Sequence, residues 1–352
     1  APRQVSDKVS FYEAYGDAAM RHGKFKRARW AYEKLLDEVP EDFTTRRQLS
    51  SAYLYLNEAK LAEDTMLRGE ESIPDDPEAK TRYLMALADF YYKAENYEAA
   101  LTTLEKLKES DPLDQNVRLS ILESLVELKR DDDVRLELND ILRSFAPDKP
   151  NEAQMLRAET YRLQGDYARA VSVLKPLRDK TEGSQRIEVE FLIALAQQEA
   201  KNVEASEESY EFIIDEFKDA AEVPSDVAGF FVNSYNNLAY LYAEHGIKLD
   251  RAEELARQAM KFAPGQAYIM DTLGWIKFKK GELDEAEEIL KNAEKISLPD
   301  WELYLHLGHV YKATNRPELA AQYFERALQL EPDNEEIREL LNTVQTAQNR
   351  TE

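Results

Sequence analysis

Apolar residues recur along this chain at intervals of three and four, in stretches separated by short polar turns, the period of helices with one buried face. The pattern is cleanest in residues 301–334. Tyr304, Leu307, Gly308 and Tyr311 share one face of a first helix, and Ala320, Phe324 and Ala327 share one face of a second. Gly308 and Ala320 are small where two helices approach closely, and Phe324 fills the space between units. Pro332 cannot continue a helix, so the chain turns there. The same pattern recurs about every thirty-four residues, and such a period belongs to a repeat array rather than to a single catalytic core.

Prolines mark the period. Pro40, Pro74, Pro112, Pro264 and Pro332 close helix pairs, and Pro147 and Pro299 fall one residue later. Read backward, residues 267–300 carry Leu273, Gly274, Gly281, Ala286, Leu290 and Ala293, and residues 232–266 carry Leu238, Ala239, Tyr242, Gly246, Ala252 and Ala259. Residues 151–184 carry Ala158, Tyr161, Gly165 and Ala170; residues 81–114 carry Leu87, Ala88, Tyr91, Ala100 and Leu104. Residues 43–76 carry Leu49, Tyr53 and Ala62, and residues 9–42 carry Tyr12, Gly16, Ala28 and Tyr32. Two units depart from the pattern. Residues 115–148 have Leu122 at the small position, and residues 187–220 have Gln197 at the aromatic one. Gly23, Gly165, Gly246 and Gly281 stand where a first helix would end in a left-handed cap. Breaks are expected at residues 75–80, 181–186 and 219–227.

These positions resemble the tetratricopeptide repeat, a helix–turn–helix with the same small and aromatic sites. The resemblance extends over nine units and nearly the whole chain. It implies an all-α fold, a right-handed α-solenoid (superhelix) of antiparallel helix pairs. The expected organisation is a block of six repeats over 1–220, a connecting segment over 221–231, three repeats over 232–334, and a capping helix and frayed tail over 335–352. The cap is read from Ile337, Leu340, Leu341 and Val344 on one face, since an uncapped last repeat would expose apolar surface.

Composition narrows the function. The formal charge is −23, which argues against nucleic acid and against an anionic membrane surface. No apolar run approaches a spanning length; residues 191–196 form the longest. Residues 1–50 hold 10 Lys/Arg against 8 Asp/Glu, so they carry +2 and the rest −25. Arg21, His22, Lys24, Lys26, Arg27 and Arg29 make a basic run. It is a solvated end face, a contact for an acidic partner, or a contact for the acidic end of another copy, which would join copies through solenoid ends. The absence of cysteine removes disulfides, thiolate catalysis and the commonest structural zinc sites. It suits an oxidising compartment, and Ala1 in place of methionine is what a removed leader would leave.

Catalytic chemistry is poorly supplied, and no cofactor is expected. Of four histidines, His306 and His309 lie three apart on one helix, without a recognisable third ligand for a metal. Asp131, Asp132 and Asp133 read as an acidic turn lacking the glycine and glutamate of a calcium loop. The sequon at Asn349 is a chance-level match.

The resemblance implies ligand binding on the face made by successive first helices. Carried over by register, that face presents Asn236, Asn237, Tyr240, Asp271, Trp275, Phe278, His306 and His309, with Phe191 and Leu195 read as core. Tyr240, Trp275 and Phe278 are alternatively core packing. The basic clamp that some family members use for a chaperone carboxylate is missing: Glu13 and Asp17, Arg47 and Ser51, or Asn236 and Tyr240 stand where it would begin. The expected function is a non-enzymatic scaffold for a partner peptide or helix, in a bacterial periplasmic or envelope system, with a cytoplasmic setting as the alternative. Two other readings stay open: a regulatory domain of a larger enzyme, and a carbohydrate-binding module stacking sugars on Tyr240 and Trp275.

Overall fold

The computed structural model describes residues 2–73, 75–145, 147–217 and 223–348, with no strand among them. Pro74, the first part of the connecting segment and the tail with its sequon lie outside the described residues. Contacts divide the chain into two compact units, Ala1–Asp17 with Phe25–Ser209, and Ala18–Lys24 with Tyr210–Glu352.

The helices of the first part are α1 (Pro2–Arg21), α2 (Phe25–Glu38), α3 (Phe43–Leu54), α4 (Ala59–Leu67), α5 (Pro77–Lys93) and α6 (Tyr97–Ser110). They are followed by α7 (Gln115–Glu127), α8 (Asp131–Phe145), α9 (Pro150–Leu163), α10 (Tyr167–Arg178), α11 (Gly183–Glu199) and α12 (Val203–Phe217). The second unit continues with α13 (Ala228–His245), α14 (Leu249–Phe262), α15 (Ala267–Lys279), α16 (Leu283–Ile296), α17 (Trp301–Ala313), α18 (Pro317–Leu330) and α19 (Glu335–Gln348). In this unit each second helix packs on its own first helix and on the next first helix, so α14 meets α15 and α16 meets α17. First helices also touch in series, α13 on α15 and α15 on α17. The result is a stack of antiparallel helix pairs, an all-α solenoid.

The turn between the helices of each pair repeats one backbone device. Gly23, Asn57, Glu95, Lys129, Gly165, Lys201, Gly246, Gly281 and Asn315 all have positive φ, between +56° and +80°. The next residue's N–H then reaches back over a full helical turn, as from Glu58 to Tyr53 O and from Arg316 to Tyr311 O, both at 2.9 Å. This closure satisfies carbonyls that the helix end leaves open. The four glycines read from the sequence are among the nine, and five other side chains accept the same strained geometry. A Cβ on Gly281 would meet nothing within 4 Å, so Gly281→Ala isolates the conformational penalty. It is expected to cost about 1 kcal/mol, and Lys129→Gly to gain up to about that. Unchanged thermal midpoints by circular dichroism in both variants would contradict this.

The small positions behave as the pattern requires. A Cβ on Gly16 would run into the Tyr32 ring, and one on Gly274 would lie 2.5 Å from Leu290 Cγ. Ser50 takes the same place in α3, buried, with its hydroxyl donating to Ala62 O at 2.8 Å. In residues 115–148 both Leu122 and Val134 occupy small positions, fully buried at 0% and 1% exposure.

Two sequence expectations change. Asp131, Asp132 and Asp133 are not a turn but the first turn of α8, where carboxylates face the positive end of the helix dipole. The breaks at 75–80 and 181–186 are shorter than expected, because α5 starts at Pro77 and α11 at Gly183. Asp76 caps α5 by accepting from Ala79 N at 2.8 Å, and Pro77 suits a first helical position that needs no donor. At the C-terminal end, α19 packs Ile337 and Val344 into the core of α16–α18, with Leu340 and Leu341 beside them.

Candidate functional site

The residues carried over by register come together on α13, α15 and α17. Pro299 ends the preceding turn, and Asp300 starts α17 by accepting from Glu302 N and Leu303 N at 2.9 and 3.2 Å. Gly246, at φ +63°, ends α13. Between these limits the three first helices lie side by side.

Their centre is a buried aromatic stack. Trp275 lies flat against Phe278, with ring centroids 4.8 Å apart, and against His306, 4.2 Å apart. Its Nε1 donates to Glu244 Oε1 at 2.5 Å, and the Lys279 ammonium sits 4.6 Å from its ring centroid. Only 6% of Trp275 and 3% of His306 are exposed. The direct partner contact expected for Trp275 is therefore replaced by a structural one, because both neighbouring helices contribute rings or charges that cover it.

His306 Nδ1 lies 2.9 Å from Asp271 Oδ1. Burial works against the imidazolium, but the Asp271 carboxylate, with Glu302 and Glu244, holds its pKa above the ordinary value. Burial pushes the Glu302 carboxyl up, partly opposed by His306 and reinforced by Asp271. Tyr240 donates to Glu302 Oε1 at 3.5 Å, and burial beside these carboxylates raises its phenol. His309 goes the other way: burial, then His306, Lys312 and Lys279, bring it down to about 4. Among the described residues no three acidic or imidazole groups converge on a metal position.

Around the stack, Asn237, Tyr240, Asp271, Phe278 and His309 are half-buried and reach the surface. Asn237 Nδ2 donates to the Tyr210 hydroxyl at 3.3 Å. Asn236 is 7% exposed, and its Oδ1 has no hydrogen-bond partner among the described residues. Phe191 is buried and Leu195 half-buried. Glu244 and Glu302 escaped the sequence reading. Both stand on the same register face as the residues that were singled out, and that spacing was the available signal.

The basic run is divided between the two units. Lys24, Lys26 and Arg27 are exposed and Arg21 half-buried, while Arg29 pairs with Glu58 at 3.1 Å. No helix among the described residues is long and apolar enough to cross a membrane.

Family models described as tetratricopeptide repeat match residues 14–77, 81–112 and 301–334. A TPR repeat-containing protein of Pseudomonas aeruginosa is 37% identical over 73 residues, 21% of this chain and 12% of that protein. The human cell division cycle protein 16 homolog is 30% identical over 108 residues, 28% of this chain and 17% of that protein. The chain thus spans less than a fifth of the length of these curated relatives. Among solved structures, a tetratricopeptide repeat protein from Parabacteroides merdae aligns with TM-score 0.50 at 16% identity, over 75% of this chain and 98% of that one. The APC/C hetero-tetramer Cut9–Hcn1 aligns with TM-score 0.54 at 15% identity, over 95% and 69%. At these identities the likeness shows the fold. Repeats of this kind are generally non-catalytic interaction modules, and with register, turns and small–large contacts in place, residues 14–77, 81–112 and 301–334 of this chain are tetratricopeptide repeats.

Proposed function

We propose that the chain is a non-enzymatic scaffold that holds a segment of a partner protein on the face of α13, α15 and α17. The observation that carries this reading is a surface row of half-buried side chains, Asn237, Tyr240, Asp271 and His309, set on the rigid stack of Trp275 and His306. A pre-organised surface loses little entropy on binding. The Cut9–Hcn1 complex shows that a neighbour of this fold carries a protein partner.

A bacterial envelope setting, in secretion, pilus assembly or polysaccharide export, belongs to the same proposal and rests on the cysteine-free composition and the Pseudomonas relative. A regulatory domain of a larger enzyme, such as a glycosyltransferase or synthase, is the second reading. Sugar stacking on Trp275 loses its basis, because Phe278 and His306 lie flat on the ring.

The test is affinity capture from the source organism with the parent chain and with an Asn237→Ala/Tyr240→Ala double variant. A partner held by the parent should be lost or weakened by about 2 kcal/mol or more in the variant, at unchanged helicity. Equal recovery by both would place the site elsewhere.

A further inference from the structure

The seam between the first helices α15 and α17 is closed, and the one between α5 and α7 is open. Between α15 and α17 it is filled by Trp275 lying on His306, with centroids 4.2 Å apart. The same register positions on α5 and α7 are Asp89 and Ser120. Neither side chain supplies a ring to close the gap. What remains is a cleft of about 240 Å³, floored by Ala88, Leu104, Leu107 and Val117, each no more than 5% exposed.

The polar groups of this cleft are lopsided. Asp89 is committed to Lys93 at 2.8 Å. Glu123, half-buried in the lining, has no hydrogen bond or ion pair with any side chain among the described residues. Arg162, whose charge reaches it, is taken by Glu159 at 2.9 Å and Glu199 at 2.5 Å. Burial pushes the Glu123 carboxyl up, with Glu159 adding to this and Arg162 opposing it. The ring of Tyr92 forms a further part of the lining, its phenol pushed up to about 12 by burial and by Glu123 and Glu127. An apolar slot is thus joined to an aromatic ring and to a partly desolvated carboxylate without a bound cation.

We propose that this cleft binds an arginine side chain presented by a partner polypeptide. The methylenes lie on the Ala88, Leu104, Leu107 and Val117 floor, as long cationic side chains cover apolar surface elsewhere. The guanidinium meets Glu123 and stacks on Tyr92, taking the place that flat rings fill between α15 and α17. Arginine suits this better than lysine because its cation is planar, weakly hydrated and able to stack. Acidic side chains are excluded by Glu123, and neutral ones leave it unpaired. The chain's net charge attracts basic segments at long range without choosing a position; the open seam and Glu123 choose it. The site is separate from the face of α13, α15 and α17 and does not depend on that reading.

The test is fluorescence anisotropy with a fluorescein-labelled Gly-Ala-Leu-Arg-Leu-Ala-Gly peptide, at physiological ionic strength, where exposed charges are screened beyond about 8 Å. Saturable binding is expected. Glu123→Gln, or citrulline in place of arginine, should weaken it at least about fivefold, the scale of one partly desolvated charge contact. Ser120→Trp should abolish binding by filling the seam. Ser120→Leu serves the same purpose if the larger ring lowers helicity. Glu109→Gln, at an exposed carboxylate on α6, should leave binding unchanged. Absent binding by the parent chain, equal binding by Glu123→Gln, or equal binding of the citrulline peptide would each overturn the proposal. An equal loss in Glu109→Gln would do so too, by tracing the attraction to net charge alone.

Discussion

Gly308→Val is expected to lower stability by about 3 kcal/mol, near the upper end for overpacking a core. A Cβ built on Gly308 would overlap Phe324 Cε1 and lie 2.5 Å from its Cδ1. Phe324 is completely buried, among Tyr304, Leu307, Ala320 and Ala327, so its ring cannot move away without displacing that core. Shortening the ring should offset part of the loss: in Gly308→Val/Phe324→Leu the two effects should fall short of their sum by at least about 1 kcal/mol. Chemical denaturation of the four proteins in the cycle measures this. Strict additivity would show that the helices of this pair can separate to admit the methyl groups. The corresponding change at Gly274 should be milder, because its neighbour Leu290 is a flexible side chain rather than a ring.

Asp271→Ala should be nearly as damaging, about 3 kcal/mol at pH 6, because it leaves a buried imidazolium without its carboxylate. The loss should shrink as pH rises. The His306 pKa is raised in the folded protein, so its pair with Asp271 contributes fully below the unfolded value near 6.5 and is lost as pH climbs through the folded one. Glu302, also raised, acts in the same direction. His309 opposes them: its value of about 4 means a contribution present above 6.5 and lost as pH falls toward 4. In the parent chain the two histidines partly cancel. His309→Gln should therefore gain stability on acidification from pH 8 to 6, and Asp271→Ala should not. An Asp271→Ala loss of the same size at pH 6 and pH 8.5 would mean that the pair is not ionised.

The candidate site was legible in its residues but not in its roles. Helical spacing places Asn236, Tyr240, Asp271, Trp275, His306 and His309 on first helices, and the resemblance assigns that face to ligands. Spacing cannot tell that Trp275 and His306 close on each other, since the closure depends on how far apart α15 and α17 stand. Glu302 and Glu244 were passed over because a charged residue on a helix is ordinarily solvated. They matter only once Tyr240 and Trp275 are seen to donate to them. Lys277 makes the same point in the core. It stands at the position held by Tyr242 and Tyr311 in neighbouring units, is 5% exposed, and is held there by Glu253 at 2.9 Å, Glu285 at 3.0 Å and Glu282. Burial opposes the Glu253 carboxylate, but Lys280, Lys277 and Arg257 bring it down to about 2. These partners come from a different helix or from beyond the turn, and no periodicity reveals them.

By itself the sequence determined the helices, the period, the small–large pairs such as Gly308 with Phe324, and the kind of repeat they spell out. Those features are local or recur at fixed intervals, so each is written in residues a few turns apart. The tertiary structure decided which seams between first helices close. Trp275 and His306 are 31 positions apart, as are Asp89 and Ser120, and identical spacing gives a sealed stack in one case and an open cleft in the other. The difference lies in side-chain volume meeting across a gap whose width the neighbouring helices set, and that width appears only when the pairs are stacked.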